Sequence, residues 1–471
     1  MINLDNLIVH LSEFLWTYIL IALLLGTALY FSFRLKFVQL THLKEMGRLL
    51  SETTKKDKEH SVSSFQAFTI SLASRVGTGN MAGVAAAIAV GGPGAIFWMW
   101  VISIIGAASG FAESTLAQLF KRPGENSFIG GPAYYMQYGL GKRWMGIIFS
   151  ILITITFGLV FNSVQSNTIS LAFEGSFGLS PMITGGILTI LTLLVIFGGI
   201  HRIAKVSSII VPVMAIGYIL LAMGIVLFNI TQLPGVIKLI VSSAFGWEQA
   251  VGGGVGIALM QGIRRGLFSN EAGMGSAPNA AATADISHPV KQGLIQSLGV
   301  FTDTLIICSC TAFIILFSDA HANSDLNGIV LTQAALTNQI GPMGGLFITI
   351  AIFFFAFSSI IGNYYYGETN IQFISKKPSW LLTYRLIVAA MVMGGSLLSL
   401  TTVWNLADLS MGLMALINLI AILLLGKYVY RALQDYNQQR KAGIDSPVFK
   451  ASSMPDIADK LPCWQDEDNN D

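Results

Sequence analysis

Between Val76 and Met81 stand Gly77, Thr78, Gly79 and Asn80, a hydroxyl and a carboxamide set among glycines in a stretch that must cross a bilayer. Backbone released from a helix there can offer N–H groups, and the positive end of the half-helix starting near Gly79, to an anion. Carbonyls of the half-helix ending near Val76 can face a cation. Unwound backbone in a membrane is costly unless it lines a cavity or meets a ligand. The chemistry this implies is binding, with a carboxylate and a metal ion held side by side. The plainer alternative is close helix packing, for which Gly83, Ala85, Ala86 and Ala87 suffice.

A second glycine-rich stretch, "AVGGGVGIALMQG", holds Gly252, Gly253, Gly254 and Gly256. Their carbonyls could take an amino group, or the glycines could only allow close packing. Gln165 and Asn167 lie at mid-span in "FNSVQSNT". An amide exposed to hydrocarbon is costly, so each either bonds another helix or touches substrate. Ser358 and Ser359 are adjacent hydroxyls in a third apolar segment. Hard cations take such oxygens, although serines in membrane helices also bond back to their own backbone. Asn270 and Glu271 read as gate or loop-ordering residues. Among intramembrane acids, Glu113 sits near a span end and faces water on this reading; Asp303 is deeper, a proton site or a counter-charge for Arg75; Asp408 is a third candidate.

The elements that position these residues are membrane helices. The chain has 471 residues, 53% hydrophobic and 11% charged, against about 25% charged in soluble domains. A net charge of +2 gives no case for nucleic acid. Cys308, Cys310 and Cys463 make no disulfide framework. HExxH and GxSxG patterns are absent, so an enzyme is not expected. Apolar runs at 14–33, 94–119, 145–173, 181–199, 206–228, 290–317, 345–364, 381–399 and 405–426 each suit a crossing. The interrupted segments 62–91 and 246–268 complete the set, because Lys and Arg clusters fall on one side only if both cross. Arg264 and Arg265 serve as one of those cytoplasmic clusters.

The expectation is an all-α polytopic membrane protein with eleven transmembrane helices, N-terminus outside and C-terminus cytoplasmic. Residues 1–34 form an extra helix, 62–228 and 246–430 two inverted five-helix repeats, and 431–471 a mobile cytoplasmic tail. The two interrupted segments open the two repeats, where a transporter places its site. A channel would need rings of like residues instead.

The stretches "RVGTGNMAGVAAAIAVGGPGAIFWMW", "RRGLFSNEAGMGSAPNAAATA", "FSSIIGNYYYGE" and "VQSNTI" resemble the signatures of the alanine/glycine:cation symporter family. The resemblance runs from the first span to about residue 430. It implies the leucine-transporter-type fold and sodium-coupled symport of alanine or glycine, with glutamine or serine in some members, in the cell membrane. It also implies a sodium site in which Ser358 and Ser359 face the carbonyls of Ala73, Val76 and Phe355. One departure is Asn363, where many members carry Trp; if it lines the pocket, a larger or more polar substrate is admitted. Proton coupling through Asp303 or Glu113 is the alternative.

Overall fold

The computed structural model describes residues 4–52, 62–124, 127–246, 254–323 and 325–465. They are almost entirely helical, as a chain that must satisfy its backbone without water requires. Eight of the helices are long and apolar enough to cross a membrane. The helices are α1 (Asn6–Arg34), α2 (Leu43–Leu50), α3 (Ser64–Arg75), α4 (Gly79–Gly91), α5 (Gly94–Leu119), α6 (Arg143–Phe177), α7 (Pro181–Ile196) and α8 (Lys205–Phe228). There follow α9 (Leu233–Phe245), α10 (Val255–Asn270), α11 (Ala277–Ala281), α12 (Pro289–Leu316), α13 (Gly328–Ile340), α14 (Pro342–Ile374), α15 (Pro378–Leu397) and α16 (Leu400–Lys441). Every span read from the sequence falls on one or more of them.

The first interruption lies where the sequence put it. α3 starts on a capping box between Ser63 and Gln66 and stops at Val76, whose backbone is extended (φ −78°, ψ 90°). The chain resumes as a π-helical turn from Gly79.

A second interruption is described further along the chain. Gly252 and Gly253 fall outside the described residues, and Gly254 is exposed at the N-terminal end of α10. α10 breaks at its other end, where Glu271, Gly273 and Gly275 take left-handed backbone (φ 59°, 89° and 88°) before α11. Every residue from 262 to 284 is buried, so "NEAGMGS" belongs to the core and not to a cytoplasmic loop. Arg264 and Arg265 are buried too, and share the Asp408 carboxylate at 3.2 and 2.7 Å. They form an ion triad within the helices, not a cytoplasmic cluster.

The described part of the tail, to residue 465, is docked rather than mobile. Phe449, Met454, Ile457, Leu461 and Trp464 are buried. The Phe449 N–H donates to Ser287 O at 2.8 Å, and Trp464 Nε1 donates to Gln118 O at 2.9 Å. Lys121 Nζ lies 4.5 Å from the centroid of the Trp464 ring. On the same face α2 packs against α16 through Glu45. Burial pushes the Glu45 carboxyl up, but hydrogen bonds from Arg48 and Tyr436 and the charge of Arg440 outweigh it and hold it at about 2. Trp464→Phe keeps an aromatic ring but deletes one hydrogen bond and part of the buried indole, so unfolding should become easier by about 1 kcal/mol or more. A lower thermal midpoint checks this; an unchanged midpoint means the tail is not anchored there.

Candidate functional site

At the first break the end of α3 meets the middle of α14. The Gly77 N–H would ordinarily close the last turn on Ala73 O, but donates instead to Asn80 Oδ1 at 2.9 Å. Ala73 O is thereby free to face α14. The Ser359 hydroxyl oxygen lies 2.9 Å from Ala73 O, 3.3 Å from Val76 O and 3.1 Å from Phe355 O. One hydroxyl proton can serve only one of three carbonyls, so partial negative charge accumulates there in a fully buried place. Four hard oxygens brought together by two helices are ligands of the kind a hard cation takes. Ser358 is placed less directly: its hydroxyl bonds back to Phe355 O at 2.8 Å.

Beside this cluster the break presents donors. Thr78 N–H and Thr78 Oγ1 both donate to Gln165 Oε1, at 2.9 and 2.7 Å. Two donors of the break thus converge on one carboxamide oxygen. Gly77 must be glycine, since a β-carbon there would strike Ser359 Oγ and Gln165 Oε1; one at Gly79 would press on Phe268 and Ser269. Asn80 extends the arrangement: its Nδ2 donates to Asp303 Oδ1 at 2.7 Å. Ser269 and Thr304 donate to the other Asp303 oxygen at 2.8 and 2.9 Å.

Below these residues the two breaks are tied together. Ser74 Oγ lies 2.7 Å from both Glu271 Oε1 and Asn363 Oδ1. A single hydroxyl proton cannot serve both; the network closes with the Asn363 amide turned so that its Nδ2 donates to Ser74, and Ser74 donates to Glu271. Glu271 also accepts from Ser276 at 2.5 Å. Asn363 is therefore placed at the junction of the breaks, on α14 one turn past Ser359.

Asn167 is turned away from the break, with its Nδ2 donating to Gly395 O and Leu398 O at the end of α15, at 3.1 and 2.6 Å. Arg75 does not pair with Asp303: among the described residues its hydrogen bond is from Nη1 to Gln296 O at 3.2 Å, and its Nε and Nη2 are without partners. Glu113, expected to face water, is fully buried. It accepts from the Gly273 N–H at 3.2 Å and from Asn418 Nδ2 at 2.8 Å, and Asn418 in turn accepts from Tyr135. Glu113, Asn418 and Tyr135 thus hold the second break, a role the sequence reading missed. The available signal was an acid within a helix that is otherwise free of charge.

The model of the sodium:alanine symporter family matches residues 1–451. The chain belongs to that family. Among its relatives, the "Probable sodium/glutamine symporter GlnT" of Bacillus subtilis is 57% identical, over 98% of this chain and 96% of that protein. The "Amino-acid carrier protein AlsT" of the same organism is 56% identical over 97% of each. The "Sodium/alanine symporter AgcS" of Methanococcus maripaludis is 39% identical over 93% of this chain and 98% of its own. The solved structure of MhsT in complex with L-phenylalanine superposes with a TM-score of 0.51 at 16% identity, covering 85% of this chain and 93% of that one. The fold is thus of the leucine-transporter type. Members of this family are transporters and not enzymes, and the chain has the apolar helices of a multi-pass membrane protein.

Proposed function

We propose that the chain is a sodium-coupled symporter of small neutral amino acids, with alanine, glycine and glutamine as its substrate class, working by alternating access. The observation that carries this is the adjacency of two chemistries at one break. The Ser359 hydroxyl sits among the Ala73, Val76 and Phe355 carbonyls, and Thr78 directs two donors at an oxygen of Gln165 beside it. Sodium occupies the first place, and the carboxylate of the amino acid displaces Gln165 from the second. Gly77, Gly79 and Asn80 shape that seat. The name of the 57% identical GlnT supports glutamine among the substrates. Asn167 acts through packing.

The two breaks open two inverted five-helix repeats, residues 62–228 and 246–430, behind an extra helix in residues 1–34, making eleven crossings. The Lys and Arg clusters other than Arg264 and Arg265 favour an outside N-terminus and a cytoplasmic tail. A cysteine in place of Leu4 should react with an impermeant thiol reagent from outside, and one in place of the exposed Lys142 should be shielded. The reverse pattern contradicts this frame.

A second reading has one observation behind it. Asp303 is buried, accepts three side-chain hydrogen bonds and has no cationic partner within ion-pair distance among the described residues, so a proton could be its counter-charge. A relative from Bacillus sp. (strain PS3) is named "Sodium/proton-dependent alanine carrier protein". Uptake of labelled alanine and glutamine into proteoliposomes separates the readings. An inward sodium gradient should drive accumulation at equal pH; accumulation that follows a pH gradient and ignores sodium moves the coupling to Asp303.

A further inference from the structure

α1 ends in a turn that a simple loop would not need. After Arg34 the chain reverses through Lys36 and Phe37, which both take left-handed backbone (φ 54° and 53°) though neither is glycine. The reversal is held by Phe37 N–H to Ser32 O at 2.6 Å and Lys36 N–H to Phe33 O at 3.1 Å. L side chains disfavour this conformation, and glycine or asparagine adopts it more readily. Its result is that Lys36 returns beside Arg34, and both line a groove of about 530 Å³ with Tyr30, Phe33 and Tyr430.

The groove joins unpaired positive charge to exposed aromatic surface. The Arg34 guanidinium lies 4.5 Å from the centroid of the Tyr430 ring. Neither Arg34 nor Lys36 has an acidic partner among the described residues, whereas Arg48, Arg440, Lys291 and Arg431 on the same face are paired with Glu45, Glu52 and Asp456. Tyr30 and Phe33 are 44% and 66% exposed. They lie in the last turns of a helix apolar enough to cross the membrane, and so meet lipid, with the two cations at the level of the headgroups.

We propose that this groove is a binding site for an anionic phospholipid. The phosphodiester sits between Arg34 and Lys36, and the upper part of an acyl chain runs along Tyr30 and Phe33. A zwitterionic lipid is a poorer fit, because its own ammonium or choline competes with the two cations for the phosphate. A free phosphate would leave the aromatic wall unused. The site lies in the cytoplasmic leaflet in the orientation proposed above; the rest of the inference is independent of sodium coupling.

The test is binding to the purified full chain in detergent. Titration with phosphatidylglycerol should raise the thermal midpoint, while phosphatidylcholine or inorganic phosphate should not. Each cation near a membrane surface contributes about fivefold to attraction of anionic lipid. Arg34→Gln and Lys36→Asn should therefore each weaken the phosphatidylglycerol response about fivefold, and the double variant about twenty-five-fold. Asparagine at 36 tolerates the left-handed backbone, so the turn survives. Photoactivatable phosphatidylglycerol on the unaltered protein should label peptides containing Tyr30, Phe33 or Tyr430, which needs no variant to fold. Equal responses to both lipids, a full response to inorganic phosphate, an unweakened double variant or labelling confined to other helices would each overturn the proposal.

Discussion

Ser359→Ala is expected to weaken apparent sodium affinity by roughly ten- to a hundredfold, the equivalent of losing one hydrogen-bond-strength interaction with a charged group, about 1.5–3 kcal/mol. The hydroxyl supplies one of four oxygens around the seat and bridges α3 and α14 by contacting Ala73 O, Val76 O and Phe355 O. Its removal leaves three carbonyls facing one another in a buried place, with one ligand fewer. Ser358→Ala should do much less, because that hydroxyl is engaged with Phe355 O of its own helix. Affinity for amino acid at saturating sodium should change little in either variant. Sodium-dependence curves of alanine uptake read all of this. An unchanged curve for Ser359→Ala would make that serine a packing residue.

Gln165→Glu is expected to shift the two affinities in opposite directions. Thr78 already gives both its donors to the Gln165 oxygen. A glutamate would take the same bonds with a full charge, which roughly doubles their strength, and would compete with the substrate carboxylate as a tethered analogue. Apparent affinity for alanine should fall by about tenfold or more, since the difference between neutral and charge-assisted bonds is about 1–2 kcal/mol. Gln165 and Ser359 are neighbours, as both would collide with a β-carbon on Gly77. The added negative charge should therefore raise sodium affinity. A variant that merely misfolds loses both. Unchanged alanine affinity would show that Thr78 does not receive the substrate carboxylate.

The first break was legible because its residues carry two signals at once. Glycines release the backbone, and Thr78 and Asn80 have no place in a lipid-facing helix. The second break carries only half of that. Glu271 is the left-handed residue that ends α10, and nothing in its identity marks it, whereas four glycines at 252–256 form a conspicuous run that bears no comparable strain where described. Glycine content reports permission to bend; φ reports where the bend is used. Arg264 and Arg265 misled for a related reason. Charge counting assumes that a basic pair faces water, and here Asp408, more than 140 residues away in sequence, neutralises part of it inside the bundle. The same distance hid the Ser74–Glu271 link and the Glu113–Gly273 bond, because partners brought together by tertiary packing leave no spacing to read. The tail is polar by composition, yet its scattered Phe449, Ile457, Leu461 and Trp464 are buried, with Trp464 bonded to α5 and Phe449 to Ser287 just before α12.

Sodium and amino acid are expected to move together through the first break. Radioactive sodium influx into proteoliposomes, measured at equal pH with and without external alanine, tests it most directly. Alanine should accelerate sodium influx, and Ser359→Ala should shift that stimulation to higher sodium concentration. Sodium influx that ignores alanine in the unaltered protein, while alanine itself is taken up, would contradict the account.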